Sequence, residues 1–103
     1  MANTRKHFDE LDLMVMIEVE KNKHLNQRAM AAKFDVSLGK LNYCMQALVN
    51  VGYIKLNNFS NSKNKLQYLY HLTPLGLAAK TSLVKKFLKI KLVEYNNLKE
   101  HLK

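Results

Sequence analysis

The sequence has few of the residues that would indicate a secreted protein or a membrane protein. Its 103 residues include one cysteine, one proline, three glycines and no tryptophan. The single cysteine, Cys44, excludes an internal disulfide framework and is typical of a reducing compartment. No run of about 18 apolar residues is present, so a membrane span is not expected. The first residues also lack the apolar core of a signal peptide, and we expect a cytoplasmic protein.

Patterns that carry catalysis or metal binding are missing as well. The four histidines are scattered, without the spacing of a metal site. The sequence has no Ser/His/Asp set, no phosphate-binding glycine loop and no pair of carboxylates. We therefore expect no enzymatic activity, no catalytic residue, no cofactor and no bound metal.

Acidic residues are scarce, and the positive charge is concentrated in one part of the chain. The chain has 17 lysines and arginines against eight aspartates and glutamates, a net charge of +9. Residues 1–20 hold five of the acids, whereas residues 21–103 hold 15 of the basic residues. This distribution favours a surface that binds a polyanion such as nucleic acid, although lysine can also serve only solubility.

The spacing of apolar residues predicts one domain built from four helices and two strands. We expect helices over residues 8–22, 26–34, 38–50 and 73–102, and strands over 53–56 and 66–72. The first helix is apolar nearly all round, so it should be buried on more than one side. Acidic residues in its first turn, Asp9, Glu10 and Asp12, suit the helix dipole. At 48% hydrophobic residues the chain can build a small core.

Local signals mark where the elements begin and end. Asn26, Ser37 and Thr73 are good N-caps, and Pro74 follows at the first helical position. Asp35 tolerates the left-handed backbone of a tight turn, and Gly52 should end the third helix. The buried face of the third helix should hold Leu38, Leu41, Cys44, Met45, Leu48 and Val49. Cys44 is therefore expected to be a core residue rather than a redox sensor.

This order of elements predicts a mainly α fold, a winged helix-turn-helix with a small β-hairpin wing and a long C-terminal helix. In that layout the third helix enters the major groove of DNA, and loop 57–65 forms the wing. Lys40 would contact guanine or phosphate, and Asn42 and Gln46 would read adenine. The predicted DNA-binding residues are Arg28, Ser37, Gly39, Lys40, Asn42, Tyr43, Gln46, Lys63, Asn64 and Lys65. The alternative is that these residues form an ordinary solvated surface.

The last helix should be about 45 Å long, which exceeds what a domain of this size can cover. Its apolar stripe packs either on the first helix or on another subunit, and its length favours a homodimer. The predicted interface consists of Val84, Phe87, Leu88, Tyr95, Leu98 and Leu102. We divide the chain into a DNA-binding part, residues 1–76, and a dimerisation helix, residues 73–103, within one compact unit.

Residues 8–76 resemble the MarR-type winged-helix transcription regulators. Positions that match that family include Met30-Ala31, Phe34, Val36-Ser37, Leu41, Leu48, Gly52 and Leu72-Thr73-x-x-Gly76. The resemblance is closer to a subgroup associated with exopolysaccharide gene clusters, in residues 36–44, 58–59, 61–65 and 72–76. It implies a dimeric, sequence-specific regulator of transcription, with exopolysaccharide genes as targets.

Two departures from the MarR pattern limit what the resemblance implies. The family often has Asp-x-Arg in the wing, where this chain has Lys63-Asn64-Lys65, and lysine cannot bind as a bidentate fork. The family's longer terminal helices enclose a small-molecule pocket, so we do not carry ligand sensing over to this shorter chain. Two alternative functions are a protein-interaction module and a non-specific architectural DNA-binding protein.

Overall fold

The computed structural model describes residues 8–21, 26–60 and 66–102. The elements are α1 (Glu10–Lys21), α2 (Gln27–Lys33), α3 (Leu38–Asn50), β1 (Ile54–Ser60), β2 (Leu66–Leu72) and α4 (Pro74–Glu100). Three helices and an antiparallel hairpin form a winged helix-turn-helix, and the long α4 follows. The predicted fold class is confirmed. No described helix is long and apolar enough to cross a membrane.

The predicted helix starts are confirmed by the capping hydrogen bonds. The side chain of Asn26 accepts from the backbone N–H groups of Arg28 and Ala29. Ser37 Oγ accepts from the N–H of Lys40 at 3.0 Å, which caps α3. These oxygens satisfy donors that the first turn of a helix leaves without intrahelical partners. The positions of α2 and α3 are thus set by residues next to them in the chain.

Two left-handed residues make the predicted changes of direction. Asp35, between α2 and α3, has a φ of 57°, and Gly52, just after α3, has a φ of 86°. Aspartate is among the few side chains that adopt this backbone region at moderate cost, and glycine does so freely. The turn of the helix-turn-helix and the entry to the hairpin therefore both depend on local sequence.

The core lies where α1 and α3 pack against the base of the hairpin. Its most buried apolar side chains are Val15, Met16, Val19, Leu41, Met45, Leu48 and Ile54. Each contributes on the order of 1.5–3 kcal/mol by leaving water. The prediction that Leu38 lies on the buried face of α3 is wrong, because this residue is 39% exposed. Leu38 points to the same side of α3 as Leu41 and Leu48. It is the first residue of the helix, however, and therefore lies beyond the end of the core.

The hairpin is longer than its apolar pattern predicts. β1 runs to Ser60 instead of ending at residue 56, and residues Ile54–Ser60 pair in register with Leu72–Leu66. Strand pairing uses backbone groups, so the polar Asn57 and Asn58 can join the ladder without an apolar pattern. Of the predicted wing loop 57–65, residues 57–60 belong to β1, and residues 61–65 lie outside the described residues.

The start of α4 is fixed against the end of α3 by Thr73 and Gly76. Thr73 Oγ1 accepts from the N–H of Gly76 at 2.9 Å and donates to the carbonyl oxygen of Gly52. A Cβ on Gly76 would lie 2.0 Å from the carbonyl oxygen of Tyr53. Only glycine permits this close approach, which explains physically the Leu-Thr-x-x-Gly pattern in the sequence.

Acidic side chains of α1 pair with lysines of the neighbouring helices. Glu18 pairs with Lys33 of α2, Glu20 pairs with Lys80 of α4, and Glu10 pairs with Lys91 of α4. The Glu10 carboxylate raises the pKa of Lys91 through its hydrogen bond and then its charge, and Glu94 adds to this effect. The fourth acidic residue of α1, Asp12, is fully buried. Ion pairs therefore neutralise much of the acidic N-terminal part of the chain.

Candidate nucleic-acid interface

The polar side of α3 is exposed, as the sequence predicts. Leu41, Cys44, Met45 and Leu48 face the core, and the opposite side presents Gly39, Lys40, Asn42, Tyr43 and Gln46 to solvent. The Tyr43 side chain is 47% exposed. A helix with one side free and polar is what the major groove admits. Contact between these residues and DNA remains a prediction.

The N-terminal end of α3 combines an accessible backbone with an exposed apolar residue. Ser37 is exposed, and apart from the adjacent residues and backbone of α3 itself no described atom lies within 4 Å of the position that a Cβ on Gly39 would occupy. Backbone N–H groups at a helix start suit a phosphate. The exposed Leu38, which the sequence pattern assigns to the core, lies between these residues and could contact a thymine methyl group. Its position at the helix end was the only signal of that exposure.

Two basic groups beside α3 are free of acidic partners. Arg28 on α2 and Lys40 on α3 are exposed, and neither forms an ion pair within residues 8–21, 26–60 and 66–102. Lys33, by contrast, holds Glu18 at 3.0 Å. Arg28 and Lys40 are therefore available to a phosphate backbone. The predicted wing contacts Lys63, Asn64 and Lys65 lie outside the described residues.

A hydrogen-bonded group beside α3 has no counterpart in the sequence predictions. The Nδ2 amide of Asn42 donates to Gln27 Oε1 at 3.1 Å, and Gln27 Nε2 donates to Tyr70 Oη at 3.0 Å. These residues lie on α3, α2 and β2. Asn42 lies 15 positions from Gln27 in the chain, and Tyr70 lies 43 positions from Gln27. No periodic pattern connects residues at these separations.

Most of the predicted dimer residues on α4 are exposed in the described part of the chain. Phe87 is half-buried, and the other five are exposed, from Val84 to Leu102. Leu88 is 66% exposed and Leu102 is 85% exposed. The ion pair between Lys91 and Glu10 joins α4 to the start of α1, and every side chain from Leu92 to Leu102 is exposed. Among the described residues, the first half of α4 contacts α1, whereas the stripe from Leu92 to Leu102 is left exposed.

An open cleft of about 410 Å³ lies between the start of α1, the hairpin base and the first half of α4. Its walls are mostly apolar, with Ser82 and Lys86 as polar members, and include Phe8, Tyr53, Leu75 and Leu83. By helical period the α4 residues of this cleft lie largely on the side away from Leu88. The cleft and the predicted dimer stripe are therefore separate surfaces.

Residues 8–55 match the family model for winged helix-turn-helix DNA-binding domains. The match covers α1, α2, α3 and the beginning of β1, which include the exposed polar side of α3. Sequence and fold together define a winged helix-turn-helix fold. No curated protein is significantly similar to the chain in sequence.

Solved structures that share this fold include a PadR-like and a MarR family transcriptional regulator. A PadR-like regulator from Bacillus cereus has a TM-score of 0.73 at 15% identity, over 85% of this chain and 90% of its own. FabT from Streptococcus pneumoniae, solved in complex with DNA, has a TM-score of 0.62 at 20% identity, over 92% and 65%. The zinc-dependent MarR family regulator AdcR has a TM-score of 0.60 at 16% identity, over 95% and 64%. Likeness at these identities establishes the fold.

Proposed function

We propose that this protein is a sequence-specific transcriptional regulator that binds duplex DNA as a cytoplasmic homodimer. In this proposal α3 lies in the major groove, and the wing contacts the DNA backbone. The resemblance to the exopolysaccharide-associated subgroup makes genes for surface polysaccharide the first targets to test. FabT, which has the same fold, has been solved in complex with DNA, and this supports duplex DNA as the partner.

The observation that carries the proposal is the exposed polar side of α3 next to two unpaired cations. Asn42 and Gln46 offer hydrogen-bond donors and acceptors for base edges, and Tyr43 can contact a phosphate or a thymine methyl. Arg28 and Lys40 have no acidic partner in the described part of the chain, so binding phosphate does not require breaking an ion pair. In this proposal, the residues that would contact base edges and the residues that would attract the phosphate backbone lie on one surface.

The exposed stripe on α4 supports the homodimer. A helix segment with every side chain in water is marginal by itself, because most helical stability in proteins comes from packing an apolar face. Leu88, Leu98 and Leu102 are among the most exposed apolar side chains of the molecule. A second copy would cover them and would place two α3 helices on half-sites about one DNA turn apart.

The proposal is tested by fluorescence anisotropy with labelled duplex DNA. The purified protein is titrated against the DNA upstream of its own gene and against a scrambled duplex of equal length and composition, over a salt series. We expect the upstream duplex to bind about 10³-fold or more tightly than the scrambled one. We also expect affinity for both to fall steeply with salt, because phosphate contacts release counterions.

The alternative functions predict different results in the same titration. If both duplexes bind with equal affinity, the titration is repeated with a library of genomic fragments. Equal affinity for all of these fragments would indicate a non-specific architectural protein. Absence of binding at low salt would contradict DNA binding and favour a protein-interaction module. In that case, replacing Lys40 or Tyr43 should have little effect on any DNA titration.

A further inference from the structure

Three polar side chains connect the exposed side of α3 to the hairpin. Asn42 donates from Nδ2 to Gln27 Oε1 at 3.1 Å, and Gln27 donates from Nε2 to Tyr70 Oη at 3.0 Å. Asn42 is exposed, Gln27 is half-buried, and the Tyr70 side chain is buried. The chain of hydrogen bonds therefore runs from the core edge to the surface that faces solvent.

The inner end of this chain is held firmly. Tyr70 lies in β2 opposite Leu56 of β1, and its ring belongs to the hydrophobic core. Gln27 is the first residue of α2, directly after the N-cap Asn26. Both residues have backbones fixed by regular structure, so the Gln27 amide has a defined position next to α3. A side chain that hydrogen-bonds to this amide is therefore also held in a defined position.

This contact determines what Asn42 can present to DNA. A carboxamide has one acceptor oxygen and two N–H donors, and the bond to Gln27 uses one of those donors. The oxygen and the second N–H remain, which are the groups that asparagine needs to bind N6 and N7 of adenine. Because the side chain is ordered before DNA arrives, less rotational entropy is lost on binding.

We propose that Gln27 is a positioning residue that sets the base preference of Asn42, and that Tyr70 holds Gln27 in place. This inference rests on the proposed function, in which α3 enters the major groove. Gln27 acts through Asn42, so its effect should appear at the base pair that Asn42 reads. Its loss should leave the preferences at other positions of the site intact.

The test is a selection of binding sites from a random duplex library, followed by affinity measurements with all four base pairs at each position. Wild type, Asn42→Ala, Gln27→Ala and Tyr70→Phe are compared. Asn42→Ala should lose about 5- to 150-fold of discrimination at one position, the range for a single bidentate base contact. Gln27→Ala should lose about 10-fold at that same position, and Tyr70→Phe should lose less.

Two further variants separate positioning from a general loss of binding. Gln27→Glu keeps the acceptor for the Asn42 amide. It replaces the donor to Tyr70 Oη with a carboxylate oxygen to which the Tyr70 hydroxyl can donate instead, so it should retain the base preference while the added negative charge weakens binding to every duplex. Arg28→Ala, the matched control on the next residue of α2, should weaken all duplexes alike. In the Asn42→Ala background, Gln27→Ala should cause no further change in base preference.

The outcomes distinguish this inference from the proposed function. If wild type enriches no motif, the proposed function is wrong and the inference falls with it. If wild type and Gln27→Ala show the same preference at every position, only the inference is wrong. A measurement without DNA covers the case of a poorly folded Gln27→Ala: in NMR spectra, Tyr70→Phe should shift the side-chain amide signals of both Gln27 and Asn42. An unchanged Asn42 signal would overturn the inference.

Discussion

The thiol of Cys44 on α3 donates a hydrogen bond to Oδ1 of Asp12 on α1, with 2.9 Å between Sγ and Oδ1. Both side chains are buried, and Oδ2 of Asp12 accepts from the backbone N–H of Asp9 at 2.7 Å. A carboxylate inside an apolar core is costly unless donors surround it. Cys44 is thus a core residue, as its position on the helix predicts, and it also supplies one of those donors.

Replacing Cys44 should destabilise the protein, and the loss should be smaller when the new side chain can still donate a hydrogen bond to Asp12. Cys44→Ala leaves the Asp12 carboxylate with one donor fewer, so the free energy of unfolding should fall by about 1–3 kcal/mol. Cys44→Ser keeps an O–H donor and should lose less. Urea denaturation followed by circular dichroism measures both. If alanine is tolerated as well as serine, the hydrogen bond does not stabilise the fold.

The same substitution at two glycines should have opposite effects on stability. Gly76→Ala places a Cβ 2.0 Å from the carbonyl oxygen of Tyr53, so the start of α4 must shift, at a cost of about 1–3 kcal/mol. Gly39→Ala meets no atom within 4 Å and should raise stability by up to about 1 kcal/mol, because alanine favours the helix. Thermal unfolding of the two variants provides the comparison. A loss of stability in both would contradict the open surroundings of Gly39.

Gly39→Ala also tests how closely the backbone of α3 approaches DNA. The variant should fold at least as well as wild type, yet bind its selected duplex more weakly, since the added methyl group projects from the N-terminal end of α3. Anisotropy titrations, with the unfolding data as a check on folding, give the answer. Unchanged affinity would mean that the backbone at Gly39 does not contact the duplex closely.

The sequence predicts well those features that depend on neighbouring residues. Asn26, Ser37 and Thr73 cap helices through atoms only two or three residues away, and Asp35 and Gly52 adopt the left-handed backbone by their own nature. Such local preferences do not depend on the rest of the fold. Together with the spacing of the apolar residues, they were sufficient to predict the order of the elements and therefore the winged helix-turn-helix fold.

Features that depend on distant parts of the chain were missed. Helical periodicity gives the direction of Leu38 but not its distance from the core, and Leu38 is exposed because α3 begins beyond that core. Periodicity cannot show that polar residues 57–60 extend β1, since the ladder is formed by backbone groups. The contacts of Gln27 with Asn42 and Tyr70 exist only after three elements have packed.

Placing a charge on the exposed stripe of α4 should separate the proposed dimer into monomers. Leu88→Asp puts a carboxylate on a surface that a second copy would bury, and burying an unpaired charge costs several kcal/mol. Asn97→Asp adds the same charge on the opposite side of α4 by helical period, also at an exposed position, and should remain dimeric. Sedimentation velocity distinguishes the two states. The reverse result would place the interface on the side of α4 that contains the cleft.

Substitutions on α3 and in the wing should affect DNA binding in different ways. Tyr43 lies on the exposed side of α3, so Tyr43→Ala should reduce the preference for the selected sequence over its variants. Lys63 is predicted to contact a phosphate, so Lys63→Ala should weaken every sequence alike and reduce the salt slope by about 0.9. The measurement is anisotropy with the selected duplex and its single-base variants, each at several salt concentrations. If both substitutions weaken all duplexes equally, α3 is not the element that reads the sequence, because a base-reading contact must change the ratio of affinities and a phosphate contact must not.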